Sequence, residues 1–373
     1  MKIFVTGTRG IPDIPGGVEK HCQELYPLIA AQGHKVIVAT RTPYVIKRIN
    51  TWRGVQLLPI FAPRIKSLEA ITHTFFAVIK ARLVNPDIVH IHSVGPALMV
   101  PLARILGLKV VFTDHGPDYD RQKWGVIAKS TLRFGEYLGC RFANEVIVIS
   151  AVIADFVLKR YGRKSNLIYN GVQLPNKTGN INFLEKKGII PNNYILALAR
   201  FVPEKGLHDL IEAFKNIESN CQLVIAGDAD HETKYSRSLK RMASADQRII
   251  LTGYISGESL NQVFSHARLF AMPSYHEGLP IALLEAMSYN LPSLVSNIPA
   301  HREISLRQER FFQCGNIADL REKLVLLFEK GLLEEEKKAY RQQIIQKYNW
   351  QRIAEQTVEV YEKALQKKEM FGK

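Results

Sequence analysis

The chain has 373 residues, 46% hydrophobic and 23% charged, and its 50 Lys and Arg against 35 Asp and Glu leave a net charge of +15. The length exceeds one ordinary core and suits two α/β domains. The composition excludes a disordered chain, and no apolar run approaches the ~20 residues that a membrane span needs.

Divided along the chain, the charge is uneven. Residues 1–175 carry 23 basic against 11 acidic side chains, and the remainder 27 against 24. A basic first half suits a phosphorylated substrate or an anionic membrane face. It is not read as a nucleic-acid surface, because no nucleic-acid-binding motif accompanies it. Lys2–Thr6 reads directly into a buried strand with no cleavable signal pattern. Cys22, Cys140, Cys221 and Cys314 are far apart in the sequence and form no CxxC pair. Together these features predict a cytoplasmic protein with free thiols.

Strand-like runs alternate with amphipathic stretches throughout. The first series is Lys2–Thr6, Lys35–Thr40, Asp87–Ile91, Lys109–Thr113 and Glu145–Ile149. The second is Tyr194–Ala199, Gln222–Ala226, Arg248–Leu251, Leu269–Met272 and Ser293–Ser296. This alternation predicts two doubly wound, parallel-sheet, Rossmann-like α/β domains. The polar stretch Asn170–Asn182 divides them, giving domains over 1–170 and 183–349. After Trp350, Ile353, Thr357, Val360, Tyr361 and Ala364 recur at helical spacing, so residues 350–373 are expected to form an amphipathic helix.

The first strand leads into Gly7-Thr8-Arg9-Gly10-Ile11-Pro12-Asp13-Ile14-Pro15-Gly16-Gly17. A dinucleotide fingerprint turns straight into a helix, whereas Pro12 and Pro15 keep this segment extended. The helix is expected after Gly16-Gly17, whose bare backbone admits a phosphate or a sugar; a plain Gly-Gly turn explains the pair equally well. Arg200 and Lys205 follow the first strand of the second series, at the edge where such sheets bind ligands. They are either two cations aimed at a diphosphate or two solvated charges.

Further on stands Glu277-Gly278-Leu279-Pro280-Ile281-Ala282-Leu283-Leu284-Glu285. With Pro280 as the first helical residue, Gly278 and Leu279 offer N–H groups at a positive helix end, where an anion is stabilised without a metal. Glu285 lies ~7.5 Å further along the axis, so the two carboxylates can grip different parts of one extended ligand. Asp228-Ala229-Asp230 imitates a metal-binding Asp-x-Asp, but reads as a strand-end turn. His90 and His92 share one face of a strand and read as packing rather than as zinc ligands. Glu19 and His21 read as incidental residues of the following helix.

The Glu277–Glu285 stretch resembles the Glu-x7-Glu motif of retaining GT-B glycosyltransferases, particularly glycosyltransferase family 4, and the resemblance covers nearly the whole chain. Gly16-Gly17 is similar to the family's N-terminal glycine loop, Arg200 and Lys205 to its diphosphate-binding pair, and Val224–Asp228 to its central strand. Thr113-Asp114-His115-Gly116 resembles the place of its catalytic-site histidine, and Arg9-Gly10-Ile11-Pro12 its branch with rhamnosyltransferase-like members.

The resemblance implies two Rossmann-like domains facing a cleft. The first would bind the acceptor, the second the nucleotide sugar, and the C-terminal helix would cross back to the first. It assigns Glu277 to the donor sugar and the oxocarbenium-like transition state, and Glu285 to the ribose. Arg200, Lys205, Gly278 and Leu279 fall to the diphosphate, Tyr254 to a position near the base, and His115 to the donor sugar. No cofactor or metal is implied. The partners implied are a nucleotide diphosphate sugar and a glycan or lipid-linked acceptor.

Two basic clusters, Arg64 and Lys66 leading into Phe75, Phe76, Lys80 and Arg82, and Lys159, Arg160, Arg163 and Lys164, suit peripheral contact with an anionic membrane. The competing readings are an NAD-dependent oxidoreductase or nucleotide-sugar epimerase using the Gly7–Gly10 turn, and a catalytically inactive GT-B binding protein.

Overall fold

A computed structural model describes residues 1–45, 49–65, 68–116, 125–229 and 231–367. Lys66 and Asp230, singled out above, lie outside the described residues. The chain divides into two compact units, residues 1–170 with 350–373, and residues 171–349.

The N-terminal unit opens with β1 (Lys2–Thr6), α1 (Gly17–Ala31) and β2 (Lys35–Arg41). A short hairpin follows, β3 (Thr51–Trp52) and β4 (Val55–Ile60), then α2 (Glu69–Val84) and β5 (Ile88–His92). The unit continues through α3 (Val100–Ile105), β6 (Val110–Asp114), α4 (Val126–Phe142), β7 (Glu145–Val148), α5 (Ala151–Tyr161) and β8 (Asn166–Leu167). Its sheet runs β3-β4-β2-β1-β5-β6-β7-β8, and only the β3–β4 pair is antiparallel. Strands β1, β5 and β6 are buried along nearly their whole length, as in a sheet covered on both faces.

The second unit comprises α6 (Asn182–Lys187), β9 (Tyr194–Leu198), α7 (Leu207–Lys215), β10 (Gln222–Ala226), α8 (Lys234–Ser244) and β11 (Ile249–Gly253). After these come α9 (Gly257–Ser265), β12 (Leu269–Met272), α10 (Ile281–Ser288), β13 (Ser293–Ser296) and α11 (Pro299–Arg302). The unit closes with β14 (Phe311–Phe312), α12 (Ile317–Lys330) and α13 (Glu334–Lys347). Its parallel sheet has the order β11-β10-β9-β12-β13-β14. Renumbered from its own first strand this is 3-2-1-4-5-6, the doubly wound order whose direction reverses between strands 1 and 4. Arg310 and Glu336, both buried, form a paired charge at 2.9 Å that ties the segment before β14 to α13.

The last helix, α14 (Trp350–Gln366), belongs to the N-terminal unit. Its buried face, Trp350, Ile353, Ala354, Val360, Tyr361 and Ala364, joins one core with Leu25, Tyr26 and Ile29 of α1 and Ile3 and Val5 of β1. The two-residue strands β3, β8 and β14 and the six-residue β4 are absent from the sequence-predicted series. Three are too short for any periodicity, and β4 carries Pro59, a residue that argues against a strand.

Candidate active site

In a doubly wound sheet, the loops leaving the two strands at the reversal diverge and open a crevice at their carboxyl ends. In the second unit those strands are β9 and β12, and their loops carry the sequence-predicted charges. The loops are locked together by backbone. Tyr275 N–H donates to Glu204 C=O at 2.9 Å, and Gly206, at φ +62°, closes a short turn against Pro273.

This brings together side chains 72 positions apart: Lys205 Nζ donates to Glu277 Oε1 at 2.5 Å. Ser274 Oγ–H donates to the same oxygen at 2.8 Å. Glu277 Oε1 is therefore held by two donors. Burial alone pushes the Glu277 carboxyl up, but Lys205, His301 and the two hydrogen bonds outweigh it and hold it below its usual range. Glu277 is thus a carboxylate in a partly dry setting, where its charge acts at full strength.

The remaining sequence-predicted residues of this unit are distributed as follows. Arg200 is half-buried in the same loop as Lys205. Gly278 and buried Leu279 lead into α10. Pro280 is not the first helical residue, contrary to the sequence expectation. Its ψ of 94° is extended and its carbonyl accepts the first helical bonds from Leu283 and Leu284, so it caps a helix that begins at Ile281. The helix start therefore lies one residue later than the sequence expectation, with Gly278 and Leu279 in the segment that leads into it. Glu285 sits half-buried in the middle of α10, and its charge is felt at Tyr289. Tyr254 is exposed, just past β11 at the sheet edge.

Two residues that the sequence did not single out belong to this site. Ser274 orients Glu277. His301, fully buried, has Nδ1–H donating to Ser296 C=O at 2.9 Å and Nε2 without a hydrogen-bond partner. Its pKa is lowered to about 4, chiefly by burial. The Ser three places before Glu277 was a readable signal, since one turn separates the two. His301 offered none. Asp228 pairs with Lys240 at 2.9 Å, which accounts for it without a metal.

In the N-terminal unit the reversal lies between β1 and β5. Gly7, at φ +97°, passes so close to β5 that a β-carbon would stand 2.2 Å from the His92 carbonyl oxygen. The loop then bends, with Asp13 left-handed at φ +58° where the prolines predicted an extended course, and reaches Gly16, the N-cap of α1, with exposed Gly17 as its first residue. A β-carbon at Gly16 would meet Glu19 Oε2 at 2.0 Å. Glu19 is not incidental: it accepts from the Arg9 N–H at 3.0 Å and pairs with the Arg9 guanidinium at 3.2 Å, fixing the glycine loop.

His115 follows β6 directly, and its Nε2 lies 2.9 Å from His92 Nδ1. His21 packs edge-on against His115, with ring centroids 5.1 Å apart, and is likewise no incidental helix residue. Burial holds the His115 pKa well below its ordinary value, with the neighbouring histidines adding to the effect. His115 is therefore a neutral imidazole, able to hydrogen-bond a hydroxyl without carrying charge.

Of the two basic clusters, the second has Lys159, Arg160 and Lys164 exposed and Arg163 half-buried. Lys159 pairs with Asp155 at 2.7 Å, and Arg163 donates to the carbonyls of Ala143 and Asn144 at 2.9 and 2.8 Å. The first remains on the surface, with Arg64, Lys80 and Arg82 exposed among exposed Phe61, Phe75, Phe76, Ile79 and Leu83. Among the described residues no helix is long and apolar enough to cross a membrane.

Comparison with known proteins accords with this geometry. A Glycosyltransferase Family 4 profile matches residues 15–174, and a profile for glycosyl transferases group 1 matches residues 181–350. The uncharacterized glycosyltransferase MJ1607 of Methanocaldococcus jannaschii is 25% identical over the full length of both chains. The O-antigen chain mannosyltransferase RfbU of Salmonella typhimurium is 29% identical over 48% of this chain and 49% of its own. Among solved structures, Anabaena HepE in complex with UDP-glucose superposes with a TM-score of 0.79 at 17% identity, covering 97% of this chain and 99% of that one. The lipopolysaccharide outer core galactosyltransferase WaaB superposes at 0.63 and 18% identity, covering 96% and 99%. With a family 4 profile on its first half and a group 1 glycosyl transferase profile on its second, each on a parallel Rossmann-like sheet, the chain is a GT-B glycosyltransferase.

Proposed function

We propose that this glycosyltransferase is retaining and metal-independent, and moves a sugar from a nucleotide diphosphate donor to a glycan or lipid-linked acceptor in cell-surface polysaccharide or glycolipid assembly. The observation that carries the proposal is the Lys205–Glu277 pair at the strand reversal of the second unit. A cation and an oriented carboxylate share the mouth of one crevice, beside the start of α10. Lys205, Arg200 and the N–H groups around Gly278 and Leu279, just before α10, are assigned to the diphosphate, where they offset the charge that grows as the nucleoside diphosphate departs. Glu277 is assigned to the sugar hydroxyls and to the oxocarbenium-like charge, and Glu285 to the ribose.

The step we assign is front-face transfer. The bond between the anomeric carbon and the diphosphate oxygen breaks, the departing oxygen takes the acceptor's hydroxyl proton, and the acceptor oxygen bonds to the same face. The protein's part is positioning and charge stabilisation. His115, Gly16 and Gly17 are assigned to the donor as contributions of the N-terminal unit, and Tyr254 to the base. The mannosyl- and galactosyltransferase relatives support the polysaccharide setting. The exposed aromatic and basic surface around Phe75 and Phe76 supports a membrane-facing acceptor. The oxidoreductase alternative is disfavoured, because the Gly7–Gly10 turn is followed by an irregular loop, with the helix starting only at Gly17.

The test is a donor screen by thermal stabilisation, followed by transfer assays on Lys205→Met and Glu277→Gln, with the anomeric configuration of the product read by NMR and EDTA present throughout. Each variant should lose ~10²–10³-fold in kcat, the scale of removing one transition-state contact. Full activity in both variants, an inverted product, or loss of activity in EDTA would each refute its part of the proposal.

A further inference from the structure

Three histidines from separate elements converge inside the N-terminal unit: His21 of α1, His92 ending β5 and His115 following β6. One ring nitrogen from each lies within 4.8 Å of the other two. The outer nitrogens of His21 and His92 are already committed. His21 Nδ1–H donates to Asn170 Oδ1 at 2.8 Å, which leaves Nε2 as a bare lone pair.

His92 Nε2 meets the Tyr26 hydroxyl at 2.5 Å. His90 Nδ1 is approached by the hydroxyls of Tyr26 at 2.9 Å and Tyr361 at 2.7 Å, while its Nε2 meets Thr113 Oγ1 at 2.7 Å. With Tyr361 donating to the single lone pair of His90 Nδ1 and Tyr26 donating to the Tyr361 oxygen, the Tyr26 oxygen receives the His92 Nε2 proton. His92 Nδ1 then turns a lone pair toward His115. Neutral imidazoles whose far nitrogens are oriented by an amide and a hydroxyl form the ligand-and-support pattern of nitrogen-coordinated metals.

We propose that His21 Nε2, His92 Nδ1 and His115 Nε2 bind one Zn²⁺ ion, with a fourth position open beside the partly exposed His115. An all-nitrogen set suits a borderline transition cation and not Mg²⁺ or Ca²⁺, which take oxygen. Tetrahedral coordination at ~2.0–2.1 Å places ligand nitrogens ~3.4 Å apart. The His92–His115 pair, at 2.9 Å, separates slightly to admit the ion, and His21 turns inward. His115 remains neutral by carrying its proton on Nδ1. The ion itself takes no part in the transfer chemistry. Because His115 is the residue assigned above to the donor sugar, bound zinc withdraws it, and Zn²⁺ acts as an inhibitor; this last clause rests on that assignment, whereas binding does not.

The full chain, stripped of metal, is titrated with Zn²⁺ against a chromogenic chelator and with Co²⁺ by visible absorption. One ion per chain and the visible bands of tetrahedral Co²⁺ are expected. Asn170→Ala, which frees the His21 ring, should weaken Zn²⁺ binding ~10–100-fold, and His21→Leu should weaken it further and abolish the Co²⁺ bands. A chain that binds no Zn²⁺, or one whose affinity is unchanged in His21→Leu with native circular dichroism, overturns the proposal. Should His21→Leu fail to fold, unchanged affinity in Asn170→Ala overturns it. One bound ion with undiminished sugar transfer supports the site and overturns the role of His115 in transfer.

Discussion

A β-carbon on residue 206 would fall 2.1 Å from the carbonyl oxygen of Pro273, so Gly206 is the point at which the loops after β9 and β12 touch through bare backbone. The neighbouring side chain, Lys205, owes its reach to Glu277 to that contact. Neither a shift of a flexible side chain nor a change of rotamer relieves such a clash, and the backbone is already left-handed there.

Gly206→Ala should therefore destabilise the second unit by about 2–4 kcal/mol and also lower donor binding. Thermal unfolding with and without UDP checks both. A variant with wild-type Tm and affinity would show that the loops need not meet.

Ser274→Ala removes one of the two donors to Glu277 Oε1 but leaves Lys205 in place. The expected result is a ~10-fold fall in kcat/KM with little change in Tm, the scale of one hydrogen bond to a charged group. Steady-state kinetics at saturating acceptor measures it, and Ser274→Thr should restore part of the loss.

Acid should loosen the fold before it titrates surface carboxylates. Burial lowers the His301 pKa to about 4, and burial followed by the Arg41 charge lowers that of His73 to about 3. Between pH 6.5 and these values the unfolded chain binds protons that the folded chain refuses, so stability falls as pH falls through that window. For His301 alone the span corresponds to about 3 kcal/mol. Urea midpoints measured from pH 7 to 4 should decline, and His301→Gln should flatten the slope.

The Phe61, Phe75 and Phe76 cluster, with ring centroids 5.5 and 6.2 Å apart, is exposed beside Lys80 and Arg82. Phe75→Ser combined with Phe76→Ser should weaken binding to vesicles containing anionic lipid by ~10-fold or more, and raised salt should weaken the wild type. Co-sedimentation reads both effects. No binding by the wild type would leave the patch without a membrane role.

The fold was legible because parallel strands buried on both faces announce themselves as apolar runs, and ten such runs were enough to specify two doubly wound sheets. Local detail was legible in part: the helix starts only at Gly17, as Pro12 and Pro15 implied, but the loop before it bends at a left-handed Asp13 instead of running extended. What sequence could not supply was convergence. Nothing near Lys205 indicates that its partner lies 72 residues away, and nothing near His21 announces Asn170, His92 or His115. Pro280 was misplaced by one position because proline is favoured both in the first helical turn and just before it, and only its ψ distinguishes the two.

Because α14 completes the core of the N-terminal unit with residues from 350 onward, that unit is discontinuous. Residues 1–170 leave the ribosome first, yet the apolar faces of β1 and α1 stay uncovered until the entire second unit has been synthesised. The unit begun first is thus the last to be finished, and the chain must keep that half-built core from aggregating throughout translation.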